Sequence, residues 1–296
     1  MSVSTLASRP PSLEGGSVQR GRRLRNAVAT GLICASVLVA AVPLALVVFY
    51  VIRKGLRIVD VGFLTEDIPI SSRRTGPGMG PAVVGTLLTT GAAALFSVPL
   101  GVMAAVYLNE YGGQNRLAAV IRFLSDVMAG VPSIVMGLFL YTIWVLRFGQ
   151  SGVAGALALG ALMLPIVIRS TESMLRLVPA DLREGSLALG ASRSRTILTV
   201  VVPAALPGIT SGSLLAVARA AGETAPLLFT IGATRTVNLD LVSGPNTALS
   251  VQIFRNAQLP FVGPQDRAWG AAFTLITLVL VLTVVARLIA ARFTVR

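Results

Sequence analysis

A cation, an anion and a proline lie within eight positions of a strongly apolar stretch near the end of the chain. In "LLAVARAAGETAPLLFTIG", residues 214–232, Arg219 and Glu223 are four residues apart and Pro226 follows. An arginine at the centre of a membrane-spanning helix costs about 2.5–3.5 kcal/mol on insertion scales. Pairing within one helix gains only about 0.2–0.5 kcal/mol, so local pairing does not account for these charges.

Binding of an oxyanion in a water-lined pathway is the chemistry that fits these two side chains. The guanidinium of Arg219 is a planar fork of donors that matches phosphate oxygens and stays charged at any working pH. Glu223 would balance that charge in the empty pathway and accept a hydrogen bond from a protonated phosphate, whereas it would repel sulfate. The alternative is a structural role, in which both charges pair with each other or with another chain.

The same stretch predicts a break in its helix. Pro226 has no N–H and crowds the carbonyl of Gly222, and glycine itself loosens a helix. Broken helices occur in membranes where the backbone lines a cavity or is buried in protein. We therefore expect a discontinuous helix that lines a pathway, with an ordinary proline kink as the alternative.

The composition indicates an all-α integral membrane protein. Of 296 residues, 54% are hydrophobic and only 12% are charged, whereas soluble domains have about 25% charged residues. The net charge of +13 fits basic residues that set membrane topology and contact anionic lipid headgroups, rather than nucleic acid.

Six segments are apolar and long enough, or nearly so, to cross a hydrocarbon layer that needs about 20 helical residues. They are 27–52, 82–108, 125–146, 152–168, 204–232 and 269–291. Pro132 is expected to break the third. Residues 1–26 predict a disordered cytoplasmic tail, 53–81 an extracytoplasmic loop, and 82–296 the core.

Basic residues that flank the spans favour cytoplasmic N- and C-termini. Most arginines fall in the segments that this orientation places inside, although a basic cluster at 53–57 lies on the opposite side. We therefore predict a multi-pass protein with both ends in the cytoplasm.

Missing residue types exclude several kinds of site. There is no histidine, which removes Ser-His-Asp catalysis and histidine-based zinc sites. Lys54 is the only lysine and is followed by Gly55, so the phosphate-binding loop of ATPases is absent. We expect no catalytic residue, metal or cofactor in this chain, and Cys34 has no partner for an internal disulfide.

The segment between the fourth and fifth spans, residues 178–209, predicts two short helices. The first is expected to begin near Asp181 and to stop at Gly190. The second would be capped by Ser192 and end before Pro203. Such an amphipathic pair can dock in a groove of another protein, or it can lie on the membrane surface.

The spacing in this loop resembles the EAA–x3–G–x9–I–x–LP signature of membrane subunits of binding-protein-dependent ABC importers. The matching residues are Glu184, Gly185, Ser186, Gly190, Val200, Val202 and Pro203. Small residues replace the two alanines, and valines replace isoleucine and leucine. The resemblance implies that the loop 178–203 inserts into a cleft of an ATPase subunit and transmits its opening and closing.

Further stretches resemble the PstA-type permeases of phosphate-specific importers. They are "TGPGMGPAVVGTL" (75–87), "AGVPSIVMGLF" (129–139), "RSTESMLRLVP" (169–179), "ARAAGETAPLLF" (218–229) and "ALSVQIF" (248–254). Arg169 resembles an arginine that recurs in that family at "RTTENML", which makes it a second candidate for the pathway. The alternative is an ordinary arginine at the cytoplasmic end of a span.

The resemblance implies a type I importer fold in a bacterial inner membrane and half of a translocation pore for phosphate. It also implies three kinds of partner, namely a PstC-type permease, two P-loop ATPase copies that bind ATP and magnesium, and an extracytoplasmic phosphate-binding protein. A permease for sulfate or molybdate, an ion-coupled carrier and a membrane-embedded enzyme are the alternatives. For an enzyme, Glu223 has no nearby acid and no histidine to assist it.

Overall fold

A computed structural model describes residues 16–71, 78–113 and 115–293, and these residues form helices and loops without a strand. The helices are α1 Gly16–Gly55, α2 Val61–Thr65, α3 Gly80–Val106, α4 Arg116–Gly130, α5 Ser133–Leu140, α6 Leu146–Phe148, α7 Gly152–Arg176, α8 Ala180–Ala188, α9 Arg193–Thr196, α10 Val202–Ala221, α11 Ala225–Thr230, α12 Leu249–Ala257 and α13 Val262–Phe293. Three π-helical turns extend or join them, at Tyr107–Tyr111, Tyr141–Val145 and Ile197–Val201.

Five helical stretches of the described residues have the length and composition of a membrane span, and a bent pair makes a sixth. The five are Gly21–Gly55, Gly80–Tyr111, Gly152–Arg176, Arg193–Ala221 and Val262–Leu288. The bent pair is Arg116–Gly130 with Ser133–Phe148. The predicted class, an all-α protein with about six spans, is confirmed.

The first helix begins earlier than predicted. It starts at Gly16, so residues 16–26 are not the disordered tail expected for 1–26, and residues 1–15 lie outside the described part. Arginine, glutamine and leucine are good helix formers, so the polar segment continues the apolar helix instead of ending it. Residues 21–50 are exposed in this single chain, and the described residues up to Tyr50 form a unit of their own by their contacts.

The predicted loop 53–81 contains a short helix and the start of α3. Asp60 caps α2, since its Oδ1 accepts a hydrogen bond of 2.6 Å from the N–H of Phe63. The Phe63 side chain is fully buried. Burial of this ring stabilises the five-residue helix within the loop.

The third predicted span is a sharply bent pair of helices. α4 begins at Arg116 rather than near 125, and it meets α5 at an angle of 105°. Val131 is extended because it precedes Pro132, which is the N-terminal cap of α5. The expected break at Pro132 is present, and it redirects the chain rather than kinking one helix.

The core of residues 51–296 is built on α3, α7 and α10, whose small residues allow close approach. A Cβ added at Gly160 would lie 2.1 Å from the ring of Phe96. Gly212 faces Ser170 and Gly208 faces Met174. Residue numbers rise along α10 as they fall along α7, so the two helices are antiparallel.

Gly85 and Gly91 of α3 form a matched pair for testing this packing. A Cβ at Gly85 would lie 2.0 Å from the backbone oxygen of Thr247, whereas Gly91 has nothing within 4 Å. We expect Gly85→Ala to destabilise the protein by about 1–3 kcal/mol through overpacking. Thermal unfolding in detergent measures the change, and Gly91→Ala should leave the transition unchanged or raise it. Equal effects of the two substitutions would contradict the packing of α3 on this segment.

Candidate functional site

The predicted helix break lies between α10 and α11. α10 ends at Ala221 with Gly222 as its cap, and α11 begins at Ala225. Pro226 is the second residue of α11, where a backbone N–H would have no partner within the helix anyway. The break is confirmed, and α5 packs on the restart, because a Cβ at Gly137 would lie 2.6 Å from the Cα of Pro226.

Arg219 and Glu223 form an ion pair across this break. The Nε atom of Arg219 lies 3.7 Å from Oε1 of Glu223. The arginine side chain is 69% exposed and the glutamate side chain 20%. The separation is longer than the 2.7–2.9 Å typical of a charge-assisted hydrogen bond. The carbonyl of Glu223 accepts a hydrogen bond of 2.9 Å from the hydroxyl of Ser250, which ties the break to α12.

Both charges line one cavity of about 230 Å³, called the first cavity below. The rest of its wall consists of Met128, Ala129, Val131, Pro132, Ser133, Leu162, Met163, Pro165, Ile166, Ala216 and Ala220. The bend between α4 and α5 therefore forms one side and α7 another. Because a water molecule takes about 30 Å³ of liquid volume, the cavity has room for a small anion with water.

Arg169 does not line the first cavity. Its guanidinium donates a hydrogen bond to Asp126, and both side chains are more than half exposed. A second cavity of about 330 Å³ is lined by Arg122, Asp126, Arg169, Glu172, Ser173 and Arg176. Arg169 lies three residues after Ile166, and Asp126 three before Ala129, so the two cavities are about one helical turn apart along α7 and α4.

Asp126 was not among the predicted site residues, although its position in the sequence indicates a functional or paired carboxylate. It is a carboxylate at the start of an apolar segment, and such a group usually has a partner. The sequence alone gave no sign that α4 bends toward α7, and that bend makes Arg169 the partner.

The loop 178–203 has the two predicted helices with shifted ends. α8 begins at Ala180, so Asp181 lies in its first turn, where the helix dipole favours an acid, and not at the cap. The helix stops before Gly190, whose φ is +83°, as predicted. Ser192 caps α9, since its hydroxyl accepts a hydrogen bond of 3.4 Å from the N–H of Arg195.

The prediction that the second helix ends before Pro203 is wrong. α9 continues through the π-helical turn Ile197–Val201 into α10, whose second residue is Pro203. In that turn the N–H of Val202 bonds to the carbonyl of Ile197, five residues back. The wider turn relieves the clash that a proline ring has with the preceding turn of a regular helix.

α8 buries none of its side chains. Glu184 and Gly185 are exposed, and the hydroxyl of Ser186 lies 2.9 Å from that of Thr196, which joins α8 to α9. Exposed leucines surround them, namely Leu182, Leu187 and Leu189. An exposed apolar surface of this kind indicates contact with another protein or with lipid.

Comparisons with known proteins agree on a membrane component of a transport system. A family model described as "Binding-protein-dependent transport system inner membrane component" matches residues 97–295. The phosphate transport system permease protein PstA 1 of Mycobacterium tuberculosis (strain ATCC 25618 / H37Rv) is 44% identical over 272 residues, covering 90% of this chain and 88% of the relative. The PstA protein of Yersinia pestis is 42% identical over 275 residues, covering 93% and 92%.

Solved structures share the fold at low sequence identity. A bacterial alginate ABC transporter, solved with an alginate pentasaccharide-bound periplasmic protein, matches with a TM-score of 0.65 at 14% identity, covering 91% of this chain and 96% of the other. An inward-facing MetNI methionine ABC transporter matches with a TM-score of 0.60 at 19% identity, covering 73% and 96%. The chain thus has the fold of ABC importer permeases, and it belongs to the family of binding-protein-dependent transport system inner membrane components and, within it, to the PstA permeases.

Proposed function

We propose that this chain is the permease subunit of an ATP-driven phosphate importer and forms half of its pathway. One observation carries the proposal: an exposed arginine and a largely buried glutamate share a cavity at a helix break. The similarity to PstA permeases over nine tenths of the chain supports phosphate as the solute. Phosphate passes without chemical change, so no residue of this chain is catalytic.

Arg219 would supply the donors that replace water around the anion. Its 3.7 Å contact with Glu223 is long enough that an oxyanion can compete for the guanidinium. Glu223 would accept a hydrogen bond from a protonated oxygen of phosphate, which sulfate lacks at neutral pH. Arg169, paired with Asp126 one turn further along α7, would receive the anion next.

The loop 178–203 would connect this pathway to ATP hydrolysis. The exposed residues Glu184 and Gly185, with the leucines around them, form the surface that would enter the ATPase cleft. Gly190 would set the angle between α8 and α9. ATP and magnesium would be bound by the partner ATPase, and this chain would hold no cofactor.

The assembly would contain a PstC-type permease, two ATPase copies and an extracytoplasmic phosphate-binding protein in the inner membrane. The distribution of arginines supports cytoplasmic termini, with lipid headgroups in contact with the basic segments. A permease for another oxyanion stays the second candidate, because a guanidinium also matches sulfate.

Uptake by the purified complex in proteoliposomes tests the function. We expect phosphate to enter only when ATP is present on the side of the membrane where the ATPase lies. The binding protein must also be present on the opposite side. Excess phosphate should compete, whereas excess sulfate or molybdate should not. Competition by sulfate alone would favour the second candidate, and uptake without the ATPase would identify an ion-coupled carrier.

Glu223→Gln is expected to weaken discrimination between phosphate and sulfate. The amide keeps the shape of the side chain but loses the charge that repels sulfate, so the ratio of the two uptake rates should fall about tenfold, or ~1.4 kcal/mol. Parallel uptake of both labelled anions measures the ratio. Glu66→Gln, an exposed position outside the cavity, is the control. An unchanged ratio in Glu223→Gln would remove this residue from selectivity.

A further inference from the structure

Two arginines of the coupling loop hold the π-helical turn Tyr107–Tyr111 that extends α3. Arg183 of α8 places Nη2 3.1 Å from Oε1 of Glu110, whose side chain is only 9% exposed. Arg193 of α9 donates a hydrogen bond to the backbone oxygen of Glu110. Its guanidinium also lies 5.1 Å from the centre of the Tyr111 ring. Both halves of the loop therefore contact one residue, Glu110.

Arg183 also contacts the end of α7. It donates hydrogen bonds of 2.8 Å to the carbonyl of Leu175 and 2.6 Å to that of Val178. The Leu175 carbonyl lies in the last turn of α7 and also accepts a hydrogen bond of 3.3 Å from the N–H of Val178, so Arg183 adds a second donor there. One side chain of α8 thus joins the end of α7 to the end of α3.

A third arginine continues the contacts toward the first cavity. Arg122 of α4 donates a hydrogen bond of 3.0 Å to the carbonyl of Leu108 and pairs with Glu172 at 3.1 Å. Two turns further along α4, Met128 and Ala129 form part of the cavity wall. A contiguous set of polar contacts therefore runs from the coupling loop through the end of α3 to α4.

We propose that Glu110 is a positioning residue, through which motion of the coupling loop reaches α3 and α4 and so the first cavity. The proposal rests on the proposed docking of this loop to an ATPase. Glu110 also accepts a hydrogen bond of 2.7 Å from the side-chain amide of Asn109, but this donor is neutral and would leave the buried charge without a counter-charge. Separation of the buried ion pair is therefore disfavoured, and we expect Glu110 to follow Arg183 when α8 shifts. α8 buries no side chain and is otherwise joined to α9 through Ser186, so the ion pair between Arg183 and Glu110 attaches α8 to the end of α3.

A static brace would behave differently from a transmitting contact. Loss of a brace lowers the amount of folded complex, so that uptake and ATP hydrolysis fall together. Loss of a transmitting contact leaves the ATPase attached and hydrolysing, but fewer solute molecules are moved for each ATP. The number of phosphate ions transported per ATP hydrolysed therefore separates the two.

The experiment uses the complete importer in proteoliposomes, with Glu110→Gln and Arg183→Gln made singly and together. We expect each single change to lower phosphate transported per ATP about tenfold, with the double change no worse than either. Arg183→Lys, which keeps the charge and can still donate to Glu110, should retain part of the ratio. The ATPase should co-purify in unchanged amount.

Arg193→Gln tests the same role in a variant that is less prone to misfold. It removes a contact to the backbone of Glu110 but leaves the buried ion pair intact. It should also lower the ratio, and to a smaller extent. Arg195→Gln is the matched control on the same helix, since the exposed side chain of Arg195 has no hydrogen bond or ion pair among the described residues. A ratio that stays at the wild-type value in all three single variants would overturn the proposal, as would a ratio in Arg183→Lys no higher than in Arg183→Gln.

Stimulation of ATP hydrolysis by the loaded binding protein gives a readout that does not depend on the transported solute. We expect the wild-type complex to be stimulated and the Glu110 and Arg183 variants to lose the stimulation. If the wild-type complex is stimulated but takes up no phosphate, phosphate is not its substrate. The role of Glu110 is then still tested by comparing the stimulation of the variants with that of the wild type. Stimulation that persists in both variants refutes that role.

Discussion

Replacing Arg219 by leucine is expected to remove most of the phosphate uptake while the complex still assembles. The side chain is 69% exposed and its acidic neighbour lies 3.7 Å away, so the fold does not depend on a tight pair here. Leucine is a good helix former and inserts into membranes more easily than arginine. Loss of charge-assisted hydrogen bonds worth about 1.5–3 kcal/mol should slow uptake by about 10- to 150-fold. Initial rates of labelled phosphate uptake measure the effect.

Two control substitutions separate a specific role of Arg219 from a general effect of removing an arginine. Arg147→Leu removes an exposed arginine that lines neither cavity, and uptake should be close to wild type. Arg219→Lys keeps the charge but loses the planar fork, so uptake should be intermediate. If Arg219→Leu instead prevented co-purification of the partner subunits, the arginine would be a structural group and the pathway would have to lie elsewhere.

Gly190→Pro is expected to eliminate transport without preventing membrane insertion. Gly190 has a φ of +83°, whereas proline fixes φ near −65°. The turn between α8 and α9 must therefore change, at a cost of about 1–3 kcal/mol in local strain. Since nothing lies within 4 Å of a Cβ built there, the effect comes from the backbone alone. Uptake and co-purification of the ATPase both measure it.

Gly190→Asn and Gly185→Ala are the matched substitutions. Asparagine tolerates positive φ better than other side chains, so most of the transport should remain. Gly185 lies within α8 with open space around it, and alanine there should be neutral or slightly stabilising. Normal transport by Gly190→Pro would show that the angle between α8 and α9 has no role in coupling.

Features encoded in local sequence were predictable, and features that depend on distant contacts were not. The break at Gly222 and Pro226 follows from backbone chemistry, and the chain breaks there. Pro203 has the same chemistry, yet the helix continues through it, because a π-helical turn precedes it. Gly222 stands four residues before Pro226 and weakens that helix, whereas Thr199 stands at the same distance before Pro203. A proline alone therefore does not show where a helix ends.

The ion-pair partners of the charged residues also could not be predicted when they are distant in sequence. Arg219 and Glu223 are four residues apart, so their pairing could be foreseen from spacing. Arg169 with Asp126 and Arg183 with Glu110 are 43 and 73 residues apart in sequence. These pairs exist because α4 packs against α7 and because α8 lies against the π-helical turn that extends α3. Single-sequence reasoning identifies the charges but not the geometry that joins them.

Because α9 and α10 are continuous, Arg193 in the loop 178–203 and Arg219 lie near opposite ends of one helical segment. The helical path from Arg193 to Ala221 is unbroken, and Arg219 lies about 39 Å from its start at 1.5 Å per residue. A tilt of about 5° about one end would move the other by about 3 Å. That displacement is close to the 3.7 Å separation between Arg219 and Glu223. Because the carbonyl of Glu223 is held by Ser250 of α12, a rotation of this size would change the distance between the two charges.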